Sequence, residues 1–393
     1  MFLQLIITTT LCLSGQGYEL KQVFIISRHN IRTPFFHNMA FLSPKKWPTW
    51  NLEPGKLTPK GRLLEYHMGK YFAGWIIKEK LFDNNCPKDQ VFVHANNKSR
   101  TKETAISFTK GAFRDCVSTY FKNNTSGNGS DPVFRSSLRN SSEEFRKAAI
   151  YEMKKKFDNL KLESAFLELN RIVDFENSSY CKTEKVCDLS EARSEFFVQV
   201  NKSPDVLGGL KIGWRIVDNF LMEYYDGMAP ENVAWGEIQT VNQWESLMAI
   251  LRGYLELRFA TKNLDRDIAS NLLEYVTDIF LNGQKKFYLI VGHDGNISLL
   301  MSSLRFKDYV LHDQLEKAPI GGKLVFQKWY DAKKDQDLLR VNYVYHSTKQ
   351  IRDGVEVSLQ NPPQWQLLEM ENCAVDGNGF CPWNDFIYIL KTV

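Results

Sequence analysis

The chain predicts an α/β fold in which a mostly parallel sheet, flanked by helices, is interrupted by an inserted α-helical domain. Three observations carry this expectation. Apolar strand runs alternate with helical spacings over residues 22–113, helical patterns dominate 134–260, and strand runs return from 287 onward. A strand–helix–strand order of this kind lays parallel strands side by side with helices over their faces.

The run at 22–26 (Gln-Val-Phe-Ile-Ile) reads as a buried strand. Thr58 followed by Pro59 is a helix start, a hydroxyl cap and then a proline in the first turn. Residues 63–77 follow with apolar positions at helical spacing, 91–93 form a short strand and 99–113 a helix. Helical spacing recurs at 142–157, 163–173, 214–225 and 243–259. Strand patterns come back at 287–291, 323–329 and 339–345, the last alternating cleanly between apolar and polar residues. The organisation expected is a leader over 1–17, a first α/β part over 18–133, a helical domain over 134–260 and a second α/β part over 261–393.

A length of 393 residues suits two domains, or one with a large insertion. A hydrophobic fraction of 43% is that of a globular chain, and a net charge of +4 without a dense basic tract argues against a nucleic-acid partner. Residues 1–17 read as a secretory signal: an apolar stretch ending in Ser14-Gly15-Gln16-Gly17, too short to span a membrane and without Lys or Arg at its start. No later run reaches transmembrane length. Removal of the leader takes Cys12 with it and leaves six cysteines, an even number that suits disulfides in an exported chain, with fifteen pairings open. Asn-x-Ser/Thr sites gather at Asn123, Asn124, Asn128 and Asn140, with others at Asn97, Asn177, Asn201 and Asn296.

Chemistry concentrates at strand ends. Directly after the first strand stands Arg28-His29-Asn30-Ile31-Arg32-Thr33-Pro34. Guanidinium groups are permanent cations whose donor fork fits phosphate oxygens, and two of them beside one imidazole suggest a phosphate pocket with a nucleophile in it. The run at 287–291 ends in Gly292-His293-Asp294-Gly295-Asn296, and Arg100 follows another strand where a helix opens, a place suited to anions. All three stretches lie beyond the carboxyl ends of strands, where parallel sheets bind ligands. Asp294 also fits a helix N-cap, since 295–304 has helical spacing. No His-Glu-x-x-His, Cys-x-x-Cys, Walker or dinucleotide pattern occurs, so neither metal nor cofactor is expected.

With Lys46-Trp47-Pro48, Leu57-Thr58-Pro59-Lys60-Gly61, Val233-Ala234-Trp235-Gly236-Glu237-Ile238 and the stretch from Pro319 to Gln327, these motifs resemble the histidine acid phosphatases over essentially the whole mature chain. The branch is the one containing bacterial glucose-1-phosphatase and periplasmic phytase. Ser27-Arg28-His29-Asn30 is similar to the glucose-1-phosphatase type, where most relatives have Arg-His-Gly. The resemblance implies a phosphoglycerate-mutase-like sheet, a small phosphorylated substrate, and His29 as the nucleophile that forms a phosphohistidine. It implies Arg28, Arg32, Arg100 and His293 as phosphate contacts and Asp294 as general acid. It also implies local disulfides Cys86–Cys116, Cys181–Cys187 and Cys373–Cys381. Tyr224-Tyr225-Asp226-Gly227 stands where glucose-1-phosphatases have Tyr-Tyr-Glu-Gly. That would place Asp226 near the leaving group, one methylene shorter, which argues against strict glucose 1-phosphate specificity. Gly295 replaces a Ser or Thr of relatives.

Cationic neighbours and a helix N-terminus should favour the Asp294 carboxylate, while the same arginines disfavour an imidazolium at His29. An acidic optimum follows. The expected activity is that of a secreted acid phosphatase acting on sugar phosphates and similar monoesters. Its rivals are a phytase or broad phosphatase and, from another class, a secreted protein that binds phosphorylated ligands without turnover.

Overall fold

The computed structural model describes residues 17–36, 39–83, 86–120 and 131–392. Most of the expected leader and the sites at Asn123, Asn124 and Asn128 lie outside the described residues. The chain opens with β1 (Tyr18–Arg28), α1 (Pro59–Lys78), β2 (Val91–Ala95) and α2 (Ser99–Phe113). It continues through α3 (Glu143–Asp158), α4 (Glu163–Val173), α5 (Ser179–Glu184), a hairpin of β3 (Glu195–Phe197) and β4 (Asp205–Leu207), α6 (Gly209–Asp226) and α7 (Val241–Phe259). After α8 (Leu264–Asn282) come β5 (Phe287–Gly292), α9 (Asp294–Ser303), β6 (Lys323–Asp331) and β7 (Gln336–Tyr345). The end of the chain holds α10 (Thr348–Asp353), β8 (Gln364–Leu368), β9 (Cys381–Pro382) and α11 (Trp383–Thr392).

The main sheet runs in the order β2-β5-β1-β6-β7-β8, with β9 also on β7. Its core of β2, β5 and β1 is parallel, and the hairpin β6–β7 with β8 and β9 extends it antiparallel. This is the α/β class expected, a mixed sheet with a parallel core under helices. The predicted cap at α1 is present: the Thr58 hydroxyl accepts from the Gly61 N–H and Pro59 is the first helical residue. Helices α8 and α11 add to the predicted elements. In α8 the buried stripe Leu264, Ile268, Leu272, Val276 and Ile279 recurs at helical spacing.

Strand alternation divides β1 between two cores. Phe24 and Ile26 join Ile290, Leu324 and Phe326 in a cluster continuous with the helices from α3 to α9. Val23 and Ile25 face the other way, with Val93, Leu289 and Val325, onto Met68 and Phe72 of α1 and Phe108 of α2. Helices α1 and α2 cross at close range through Gly69 and Gly111, where a Cβ would strike the partner helix's backbone. That contact sets where α2 begins, and so where Arg100 stands. The three disulfides join Cys86 to Cys116, Cys181 to Cys187 and Cys373 to Cys381, the local pairing expected.

One core carboxyl is unusual. Glu223 of α6 is fully buried, accepts the Ala234 N–H at 3.1 Å through one oxygen and has no partner for the other among the described residues. Burial pushes its pKa up to about 8 from 4.5. The folded state therefore holds a proton that the unfolded chain releases, so the stabilisation is complete below about pH 4.5 and is lost as pH rises through about 8. Glu223→Gln keeps a neutral side chain at every pH. Thermal unfolding from pH 4 to 9 should show wild type losing on the order of 3 kcal/mol more than the variant toward the alkaline end. Parallel curves would contradict the assignment.

Candidate active site

The parallel register assembles the site. Arg28 pairs with Gly292 across β1 and β5, and Ala95 pairs with Val291 across β2 and β5, so the three chain segments leave the sheet side by side. Arg28 and His29, Asn96 to Arg100, and His293 with Asp294 thus meet over one strand edge. The loop after β1 is pinned at each residue. The His29 N–H donates to the Gly292 carbonyl at 3.1 Å, the His29 carbonyl accepts from Gly321, and the Asn30 N–H donates to the Thr104 hydroxyl.

Asn30 has a structural reason to be there. Its Oδ1 accepts from the Ile31 N–H, and its Nδ2 donates to Glu65 at 2.9 Å, which in turn pairs with the fully buried Lys323 at 2.6 Å. The amide occupies space left by the missing side chain of Gly321, whose φ of +65° suits glycine.

His29 is 3% exposed, and its Nδ1–H donates to the Asn30 carbonyl at 2.9 Å. A carbonyl only accepts, so Nδ1 carries the proton and Nε2 keeps its lone pair. Burial first, then Arg100, His293, Arg28 and Arg32, hold this imidazole's pKa well below 6.5. The ring faces that of His293 edge-on, 5.5 Å between centroids.

Three guanidinium groups surround these rings. Arg28, 2% exposed, donates to Glu316 at 2.5 Å and to the Ala318 carbonyl at 2.6 Å, and lies 3.2 Å from Asp294. Burial opposes its charge, but the carboxylates of Glu316 and Asp294 outweigh burial and raise its pKa. Arg32 forms a two-point pair with Asp218, at 3.0 and 2.7 Å. Arg100 forms no ion pair with any of the described residues, and burial with the nearby Arg32 pushes its pKa down to about 9. Phe35 lies against two of these cations, its ring centroid 3.8 Å from the Arg32 guanidinium carbon and 5.1 Å from that of Arg100. The Nε–H groups of Arg28, Arg32 and Arg100 are buried without an acceptor among the described residues. The chemistry that suits such a cluster is an oxyanion placed beside a neutral nucleophile.

Asp294 is the first residue of α9, with His293 rather than Asp294 as the N-cap. Its carboxylate accepts the Gly295 N–H at 2.7 Å and faces Arg28. Burial works against the charge, but Arg28, that N–H and Arg32 overcome it and hold the pKa below 3.8. Gly295 is explained by packing: a Cβ there would lie 2.9 Å from the ring of Phe259. Asn296 is 4% exposed with both amide ends bonded, to the His293 N–H and the Phe134 carbonyl, so this sequence site is structural.

Six of the seven predicted site residues come together in one cluster; Asp226 stands at the C-terminal end of α6. Its carboxylate accepts from Thr58 and faces Lys60 at the start of α1. Helix α6 reaches the site through Asp218, which pairs with Arg32, and through Tyr225, whose hydroxyl neighbours Glu316 and Arg28. Asp218, Glu316 and Asn96 are the partners that sequence reasoning missed. Asp218 left a trace, a charged residue inside the apolar run Ile216-Val217-Asp218-Asn219-Phe220-Leu221, which asks for a buried partner. Glu316 sits in a loop without periodicity and left none.

Comparison with known proteins agrees with this geometry. The family described as histidine phosphatase superfamily (branch 2) matches residues 19–204. Glucose-1-phosphatase of Salmonella typhimurium is 37% identical, covering 96% of this chain and 93% of its own. That of Providencia rettgeri is 38% identical, with 93% and 90% covered. Among solved structures, the phytase from Citrobacter braakii superposes with a TM-score of 0.87 at 26% identity, covering 96% of this chain and 98% of that one. A neutral imidazole among three arginines, on a sheet shared with these enzymes, places the chain in branch 2 of the histidine phosphatase superfamily as a phosphoric monoester hydrolase.

Proposed function

We propose that the chain is a secreted acid phosphatase that hydrolyses small phosphomonoesters, sugar phosphates such as glucose 1-phosphate among them, through a phosphohistidine at His29. The observation that carries this reading is the His29 tautomer. Its Nδ1–H is held by the Asn30 carbonyl, which leaves the Nε2 lone pair free within the arginine cluster. In the first step Nε2 bonds to phosphorus, the ester P–O bond breaks, and Asp294 gives its proton to the departing alkoxide. The phosphorylated ring is cationic, and the Asn30 carbonyl, accepting from Nδ1–H, stabilises it. In the second step water bonds to phosphorus, Asp294 takes a proton from that water, the P–N bond breaks and inorganic phosphate leaves. Arg28, Arg32, Arg100 and His293 hold the non-bridging oxygens through both steps.

Export is supported by the leader-like residues 1–17 and by the three disulfides, which persist in an oxidising compartment. A phytase reading has support in the likeness to the Citrobacter braakii phytase.

The needed forms are neutral His29, present above its lowered pKa, and protonated Asp294, present below its lowered pKa. Both directions place the optimum in acid. Phosphate release from p-nitrophenyl phosphate, glucose 1-phosphate and phytate between pH 3 and 8 should peak below neutrality and vanish with His29→Ala. A larger kcat/KM for glucose 1-phosphate than for phytate is expected, and the reverse would favour the phytase. Absence of turnover by folded wild type would point to a binding protein. The role of Asp294 has its own check. Asp294→Ala should lose about 100-fold or more on glucose 1-phosphate, whose alkoxide needs a proton. The loss should be far smaller on p-nitrophenyl phosphate, whose phenolate leaves without one. Equal losses on both would remove Asp294 from the acid role.

A further inference from the structure

Asn96, between β2 and Arg100, belongs to none of the roles above, yet its amide touches His293. We infer that Asn96 is a positioning residue that fixes the His293 proton on Nδ1, so that this ring offers a neutral N–H donor to a phosphate oxygen. The inference rests on the phosphatase reading of the site.

Asn96 is 2% exposed and its backbone N–H donates to the Val291 carbonyl at 3.0 Å. The polarity of its side chain is settled by its other neighbours. Oδ1 accepts from the Asn97 N–H at 2.7 Å and, more weakly, from the Asp131 N–H at 3.4 Å. Turning the amide over would set its NH2 group against two N–H donors. Nδ2 is therefore the end that meets His293 Nε2, at 2.8 Å. A neutral imidazole has one acceptor nitrogen, and the 2.8 Å contact at Nε2, against 3.4 Å between Nδ1 and Arg100, makes it Nε2, so the proton is on Nδ1.

That nitrogen lies 3.4 Å from Nη2 of Arg100. Arginine never accepts, so two donors stand side by side without satisfying each other. An anionic oxygen between them satisfies both. If Asn96 did not donate to Nε2, Nδ1 could instead accept from Arg100, and the ring would turn a lone pair toward the phosphate. The charged groups facing His293 are Arg100 of α2, Arg28 and Arg32 at and beyond the end of β1, and Asp294 of α9, with His29 alongside. Burial first, then Arg100, keep the His293 pKa well below 6.5, so the neutral ring is the working form. Asp131 is held in place from behind: its carboxylate contacts His94 Nε2 at 3.0 Å, and His94 Nδ1 meets the Tyr275 hydroxyl at 2.8 Å.

The isosteric variant Asn96→Asp tests this. A carboxylate only accepts, so it draws the proton to Nε2, and the neutral ring then presents Nδ1 as an acceptor. The donor returns only when the ring is doubly protonated, which the new carboxylate favours and low pH completes. Competitive inhibition by inorganic phosphate, and kcat/KM, should match wild type within about threefold at pH 3–4 and fall behind it by about tenfold or more toward pH 7, the loss of one charge-assisted hydrogen bond. A variant-to-wild-type ratio independent of pH would overturn the inference, because a merely structural role has no reason to follow ring protonation. Should the variant fold poorly, wild type decides alone. Long-range 1H–15N spectra of histidine-labelled protein, with His293 assigned by its loss in His293→Gln, should show protonated Nδ1 and bare Nε2. The opposite tautomer sinks the proposal. That spectrum needs no turnover, so an inactive enzyme would defeat the phosphatase reading without deciding this one.

Discussion

A guanidinium withdrawn from water at the carboxyl end of a buried strand must find anionic oxygens nearby, and Arg28 finds them on two other parts of the chain. Glu316 and the Ala318 carbonyl come from the loop before β6, and Asp294 comes from the start of α9. Leaving such a charge unpaired costs several kcal/mol, so the loop and the helix are held against the strand end by the same group that faces the phosphate. Arg32 does the equivalent for α6 through Asp218. The cations of the site are thus also the pins that join the helical stretch and the following loop to the parallel core.

Neutralisation is incomplete, and that is where function enters. Among the described residues Arg28 and Arg32 have carboxylate partners, Arg100 has none, and the Nε–H groups of all three are buried without acceptors. An arriving phosphate removes a cost already present in the folded state, without the side chains having to move. The same surplus of positive charge, together with burial, keeps both imidazoles neutral and holds the Asp294 carboxyl ionised down to low pH. Under the proposed mechanism, one electrostatic arrangement therefore sets the reactivity of His29, the anion affinity and the acid range in which Asp294 carries its proton.

Local chemistry was readable where it is contiguous in the chain. Arg28, His29 and Arg32 stand within five residues, His293 and Asp294 are adjacent, and Arg100 opens a helix after a strand. Each is announced by an apolar run that must be a strand, and parallel strands bring their carboxyl ends to one edge. The resemblance added the pairing of cysteines and the separate roles of the six residues that do meet. It also placed Asp226 beside the leaving group. The helix sets that carboxylate at Thr58 and Lys60, partners from the start of α1 that a motif naming only neighbours in sequence does not reveal.

The sequence by itself determined the α/β class, the positions of the strands that carry the site, and the identity of the arginines, histidines and aspartate that meet there. Periodicity of 2 and 3.6 residues, strand-end polarity and permanent charge are all properties of short stretches. Tertiary structure decided the partners: Glu316 for Arg28, Asp218 for Arg32, Asn30 for the His29 proton and Asn96 for the His293 lone pair. Of these only Asn30 is a neighbour in the chain. The others depend on how the helices from α3 to α9 pack against one face of β1 and β5, and on where the crossing at Gly69 and Gly111 sets the start of α2. Which nitrogen holds a proton, and which carboxylate stays charged, is settled by distances of about 3 Å between segments remote in sequence, a scale on which a linear pattern carries no information.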